Sequence, residues 1–186
     1  QIIKNMTTTL ISRGPDEGGF FLNKNVNLGH RRLIVIDPEN GTQPMSFNFQ
    51  GNIYTIVFNG QIYNTKELKK ILLENGFSFI GHCDTEILLK AYIHFGYDVV
   101  NHLNGIFGFA IWDENKKELF MARDHFGIKP FFYSFKNKNF IFASEIKAIL
   151  QHPDISAVID NYGIYELFGI GPAHTPGLTP FKDIFE

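Results

Sequence analysis

The 186-residue sequence predicts an α+β fold, with antiparallel strands forming two sheets packed face to face and helices outside them. Two observations carry that prediction. Runs rich in β-branched and aromatic residues follow one another across short polar turns, and helical spacing appears before, between and after these runs instead of alternating with every strand. The 20 Phe residues point the same way, because most alternate with polar or small residues as sheet-forming side chains do.

Ile2, Ile3, Met6, Leu10 and Ile11 recur at helical spacing, so residues 2–12 read as a helix that RGPDEGG terminates. VNLGHRRLIVID and NIYTIVF read as strands separated by the turn-rich PENGTQP. Asn59-Gly60, directly after IYTIVF, reads as a tight turn, since both residues tolerate positive φ. Asn64 and Glu67 resemble a capping box, and Leu68, Ile71 and Leu72 form the apolar face of a helix over 65–75. FSFI reads as a short strand. Asp84 is then placed to cap a second helix over about 85–95, whose face is Ile87, Leu88, Ala91 and Tyr92. IFGFAIWD, ELFMARD, PFFYSF and NFIFAS are four strands of an expected antiparallel meander, and SEIKAIL and DNYGIYELF read as short helices. The Pro- and Gly-rich GPAHTPGLTP cannot continue a helix, so the expected boundary sets a domain over 1–168 against a connecting segment over 169–186.

Composition excludes several classes. Seventeen Lys+Arg against 19 Asp+Glu, with no run of like charges, argue against nucleic acid or an anionic membrane as partner. No apolar run reaches the roughly 18 residues of a membrane span, and the opening residues lack the basic head of a signal peptide. One cysteine, Cys83, forms no internal disulfide, which fits a reducing, cytoplasmic setting. The start without Met, already at helical spacing, leads us to expect that a piece of the native N-terminus precedes it. There is no nucleophile elbow, phosphate loop, H-E-x-x-H or C-x-x-C, and GIGPAH (169–174) lacks the third glycine and the strand–helix setting of a dinucleotide site. The seven His residues lack metal-ligand spacing, so no metal is expected in this chain.

Four polar stretches remain where scaffolds present functional groups: SRGPDEGG (12–19), GHRRL (29–33), FNGQIYN (58–64) and HCDTE (82–86). Arg31 and Arg32 are consecutive on a strand, so one side chain faces inward and needs an anion, for which a carboxylate matches the guanidinium fork. Asp84 at a helix start offers the opposite charge. Singly these are a surface arginine, a turn and a cap; together they describe a receptor for an α-amino acid.

In their order, RGPDEGG, LGHRRLIVID, GTQPM, FNGQIYN, DTE, LNGIFGFAIWD, ARDHFGIKPFFY and ASEIKAIL closely resemble the glutaminase domain of asparagine synthetases, which are class II glutamine amidotransferases. The resemblance covers nearly the whole chain, including TPGLTPFKDIFE, which looks like the connection to a synthetase domain. It implies the N-terminal-nucleophile hydrolase fold, a four-layer αββα sandwich of two antiparallel sheets. It also implies hydrolysis of L-glutamine to glutamate and ammonia by an N-terminal cysteine whose α-amino group is the base. By resemblance, Arg32 holds the α-carboxylate, Asp84 the α-ammonium, Asn59 and the Gly60 N–H form the oxyanion hole, and backbone of Val35, Ile36 and Gln61 lines the pocket. ATP and Mg2+ are implied only for the synthetase domain, which with L-glutamine is the expected partner; a homodimer stays open.

Departures from the family pattern are the missing N-terminal cysteine, without which these residues alone are expected to be inactive, and Gln61 in place of glutamate, which removes a negative charge near the ammonium. Ser12 stands for the histidine of HRGPD, and Cys83 stands where a small residue is common. In ARDHFGIKPFFY, the mixed charges Arg123, Asp124 and Lys129 read first as an internal ion-pair network. Two other readings stay open: an amidotransferase serving a different acceptor, and an inactive scaffold that binds glutamine or docks a partner.

Overall fold

The computed structural model describes residues 1–169, 171 and 175–186, so GIGPAH lies largely outside the described residues. In chain order the elements are α1 (Ile2–Thr8), β1 (Glu17–Leu22), β2 (Asn27–Arg32), β3 (Met45–Phe49), β4 (Asn52–Ile62), α2 (Thr65–Glu74), α3 (Asp84–Phe95), β5 (Gly105–Asp113), β6 (Glu118–Arg123), β7 (Phe132–Lys136), β8 (Asn139–Ala143), α4 (Ile146–Ile149) and α5 (Asn161–Gly169). Every strand pairing is antiparallel, in the orders β1-β2, β3-β4-β5-β6 and β7-β8, so the α+β class with antiparallel sheets is what the chain adopts.

Two compact units divide the chain. In the unit Ile11–Lys129, alternation along β4 and β5 puts Ile56, Phe58, Ile62, Phe107, Phe109 and Ile111 on one face of the four-stranded sheet. Helices α2 and α3 lay Leu68, Leu72, Leu88 and Tyr92 into the same cluster. Each such side chain contributes about 1.5–3 kcal/mol on burial. The other unit, Gln1–Leu10 with Pro130–Glu186, has its own core of Met6, Ile141, Ala148, Ile149, Ile155 and Ile184. Within it, the segment expected to connect domains supplies the fully buried Ile184, and Phe185 pairs with Tyr133 by two backbone hydrogen bonds of 2.8 Å.

Several local expectations give way to side chains that take over backbone hydrogen bonds. FSFI is not a strand: Glu86 accepts the N–H groups of Ile80 (3.0 Å) and Gly81 (3.1 Å), and the Lys90 ammonium donates to Ser78 O (2.5 Å). Lys90 is buried beside the rings of Phe47 and Phe79 and bonded to Glu86, so its charge is neutralised where it lies. Strand β2 stops at Arg32 instead of running through LIVID, because the Arg32 guanidinium gathers the carbonyls of Ile36, Asp37 and Pro38 around itself. Helix α1 ends at Thr8, short of residue 12, where Thr7 and Thr8 hydroxyls bond back to Ile3 and Lys4 carbonyls.

The expected four-stranded meander is instead two separate hairpins, β5–β6 and β7–β8. At the end of β6, the buried Asp124 carboxylate accepts N–H groups of Phe107 (3.2 Å), Ile128 (2.9 Å) and Lys129 (3.0 Å), and Arg123 donates to the carbonyls of Gly127 and Lys129. The anion is thus neutralised by backbone dipoles. Burial alone would raise the Asp124 carboxyl, but these N–H groups together with that of Phe126 hold it below the usual range.

The tight turn expected at Asn59-Gly60 does not exist. Strand β4 runs through both residues, opposite Gly108 and Phe107 of β5. Gly60 serves close approach: a Cβ there would stand 2.2 Å from Ile106 O and 2.8 Å from Phe107 Cα.

Candidate functional site

Strand β3 pairs with β4 only as far as Ile56, whereas β5 follows it to Ile62. One edge of β4 is therefore bare of any strand partner over its last residues, and side chains occupy it. Gln43 accepts the Phe58 N–H (2.6 Å) and donates to Phe58 O (3.1 Å), which His30 Nε2 also reaches (3.1 Å). Extending the Met45–Ile56 register would put the Gln43 backbone opposite Phe58. Pro44 has no N–H to give that ladder, and the Gln43 carboxamide does the pairing instead. Four residues on, Asp84 Oδ2 accepts the Ile62 N–H (3.2 Å).

Between these anchors lies Gly60. Backbone groups alternate along a strand, so Phe58, Gly60 and Ile62 present their N–H groups to the same edge. The facing residue on β5 agrees, because Phe107 turns its N–H and C=O away from β4 to Asp124. The Gly60 N–H therefore faces the open edge. The Asn59 side chain stands on the sheet face opposite Phe58 and Ile62, half-buried, and its amide makes no hydrogen bond among the described residues.

Asp84 opens α3 but does not cap it. The N-cap is Cys83, and neither it nor Asn64 at the start of α2 makes a side-chain capping bond; the Asn64 amide is committed to His102 O and the Asn104 N–H. Burial raises the Asp84 carboxyl above the usual range, against the opposing N–H groups of Ile62, Asp84 itself and Thr85. No ion pair to Asp84 forms among the described residues, which leaves a desolvated carboxylate suited to a cation.

Arg31 and Arg32 do diverge. Arg31 bonds the carbonyls of Gly14 (2.8 Å) and Pro15 (3.0 Å). Arg32 is buried, with four N–H···O contacts to Ile36 O (3.0 Å), Asp37 O (2.7 Å), Pro38 O (3.2 Å) and the Glu17 carboxylate (3.1 Å). The loop it holds carries Val35, 79% exposed, and Ile36, half-buried; Gln61 is exposed at the end of β4. Asp37 ties this loop to the residues before α3 by accepting the His82 N–H (2.7 Å) and both N–H groups of Asn40. Those bonds, His82's first, hold its carboxyl below the usual range.

Sequence reasoning missed Gln43, His30 and Asp37. For Gln43 the available signal was its place ahead of a proline where a strand begins. The Cys83 thiol is 2% exposed against Asn40 O, and burial pushes it up, so it is a packed and unreactive thiol.

Burial lowers the His30 imidazole to about 4, with the Phe58 carbonyl opposing and the Arg32 charge adding to the drop. The neutral ring donates from Nε2 to Phe58 O, and Nδ1 is buried without a partner. The unfolded chain protonates this histidine near pH 6.5 and the folded chain only near 4, so stability falls as pH drops through that window. The loss reaches on the order of 3 kcal/mol. His30→Gln, which keeps an N–H for Phe58, is expected to flatten the acid flank of a stability-against-pH curve between these values; an unaltered slope would place the titration elsewhere.

The family model for the glutamine amidotransferase domain matches residues 1–186. The chain belongs to this family. The domain is 50% identical over its full length to asparagine synthetase [glutamine-hydrolyzing] 3 of Bacillus subtilis, of which it spans 30%. It is 39% identical over 156 residues to amidase chry2 of Gibberella zeae, covering 81% of this chain and 23% of that protein. Among solved structures, glutamine phosphoribosylpyrophosphate amidotransferase from B. subtilis superposes with a TM-score of 0.57 at 26% identity, over 66% of this chain and 28% of that one. The amidotransferase domain closely matches the glutaminase part of glutamine-hydrolysing asparagine synthetases, and its fold agrees with the N-terminal-nucleophile hydrolase type. No helix among the described residues is long and apolar enough to cross a membrane.

Proposed function

We propose that the domain is the glutaminase half of an asparagine synthetase, releasing ammonia from L-glutamine for ATP-dependent amidation of aspartate elsewhere in the parent chain. The observation that carries the reading is the bare edge of β4, which the Gly60 N–H faces two residues before Ile62, whose N–H the Asp84 carboxylate accepts, while the neighbouring Asn59 amide makes no hydrogen bond among the described residues. When a thiolate adds to the side-chain carbonyl of glutamine, the carbonyl oxygen becomes an oxyanion. Two adjacent donors stabilise it, more strongly in a site shielded from water. Collapse expels ammonia and leaves a thioester, which water hydrolyses to glutamate.

The raised Asp84 carboxyl supports its role toward the α-ammonium, because an arriving cation restores the charge that burial disfavours. Arg32 takes the α-carboxylate, and Val35, Ile36 and Gln61 line the pocket. The resemblance to the family implies an N-terminal cysteine of the parent chain as nucleophile, and Cys83, buried with its thiol pushed up, does not offer an alternative. ATP and Mg2+ act in the synthetase portion, toward which 169–186 leads. The family's sheet chemistry does not choose the acceptor, so another amide acceptor is the alternative.

The test expresses the protein from its native start, treats it with an electrophilic glutamine analogue and maps the adduct by mass spectrometry. A label on an N-terminal cysteine that disappears in Arg32→Ala is expected. A label on Cys83, or none on folded protein, overturns the reading.

A further inference from the structure

We infer that Glu17 is a resident competitor for the substrate carboxylate, and so sets the affinity for the amino-acid head group. Of the four oxygen atoms around the Arg32 guanidinium, three are loop carbonyls, which are neutral and fixed by the backbone. The fourth is Glu17 Oε2, 3.1 Å from Nη1. It is the anion of the set and the partner that a side-chain rotation can remove. Its environment permits that exchange: the Arg32 side chain is 7% exposed while that of Glu17 is 33% exposed, so the released carboxylate can turn toward water.

The local construction keeps Arg32 in place while Glu17 leaves. Gly41 has no Cβ, and one there would stand 1.9 Å from Nη2, so the loop closes directly onto the guanidinium. The carbonyls of Ile36 and Asp37 hold the Nη2 side, and the Glu17 contact is on Nη1. Thr42 donates to the other oxygen, Oε1, at 3.0 Å, and this bond aims Oε2 at the arginine in the absence of ligand. A free amino acid presents the same chemical group to the same N–H. It therefore binds by carboxylate-for-carboxylate exchange, and its affinity is reduced by the strength of the internal pair.

This inference rests on the reading of Arg32 as the α-carboxylate partner, and the experiment separates the two. In the full-length enzyme, KM is measured for L-glutamine and for its α-carboxamide analogue, in wild type, Glu17→Gln and Glu17→Asp. Glu17→Gln removes the competing charge and is expected to lower KM for L-glutamine roughly three- to tenfold. Glu17→Asp, drawn back by one methylene, gives a smaller change of the same sign and carries the test if the glutamine variant does not fold. The carboxamide analogue shows no such gain. A raised or unchanged KM for L-glutamine overturns the inference, since Glu17 then orients Arg32 or does neither. An equal gain for both substrates leaves Glu17 as a general obstruction and rejects Arg32 as the carboxylate partner.

Discussion

Asn59→Ala is expected to lower the glutaminase kcat of the full-length enzyme by about 10²–10³-fold, the usual loss on removing one oxyanion donor. KM for glutamine should move by less than about threefold, because in its proposed role the amide acts when charge develops on the carbonyl oxygen and not in the ground state. The structure makes this a clean substitution. The Asn59 amide has no internal partner among the described residues, so its removal strands no buried polar group, and the backbone stays in the β4–β5 ladder opposite Gly108. A strand position of this kind changes stability by no more than about 1 kcal/mol. Steady-state kinetics with a thermal melt decide it: a folded Asn59→Ala enzyme with wild-type kcat would show that the amide stabilises nothing in the transition state.

Arg32→Lys should weaken two things at once. An ammonium has three donors at a single nitrogen and cannot span Ile36 O, Asp37 O, Pro38 O and the Glu17 carboxylate together. With Arg32 buried, the lost charge-assisted bonds cost about 2–4 kcal/mol of stability. A domain of this size then melts roughly 5–15 °C lower. Glutamine KM should rise as well, by about tenfold or more, because in the role proposed for Arg32 the substrate carboxylate loses a directed donor. The paired readouts are informative. A fall in Tm with unchanged KM would make Arg32 a loop anchor only, and the carboxylate would bind elsewhere.

Arg32 also illustrates how much of the site is local and how much is not. Two consecutive arginines on a strand face opposite ways by the period of two, and one was bound to turn inward; that is backbone geometry, available from the residues alone. What meets the inward guanidinium is another matter. Three carbonyls from a loop and a carboxylate from 15 positions earlier close around it only after β1 and β2 pair, at the register Glu17↔Arg32. Asn59-Gly60 failed in the reverse direction. Its turn propensity is real, but a ladder of nine residue pairs with β5 outweighs it, and the glycine serves the close approach of a neighbour's backbone as well as its own positive φ within the strand.

Taken from the residues in order, the sequence determined the α+β class, β2, β4 and the strands of the β5–β6 and β7–β8 hairpins, the two central helices to within a residue, and the family, because these depend on period, turn chemistry and motif order over short stretches, whereas β1 and β3 lie in stretches not read as strands. Tertiary structure decided where backbone hydrogen bonds leave the ladders for side chains: Gln43 on Phe58, Asp84 on Ile62, Glu86 on the 80–81 amides, Asp124 on the end of β6. Each joins positions up to 22 apart that have no common local pattern. A buried N–H must find an acceptor wherever the fold supplies one. The Gly60 N–H, facing the open edge of β4, is therefore a property of the assembled sheet.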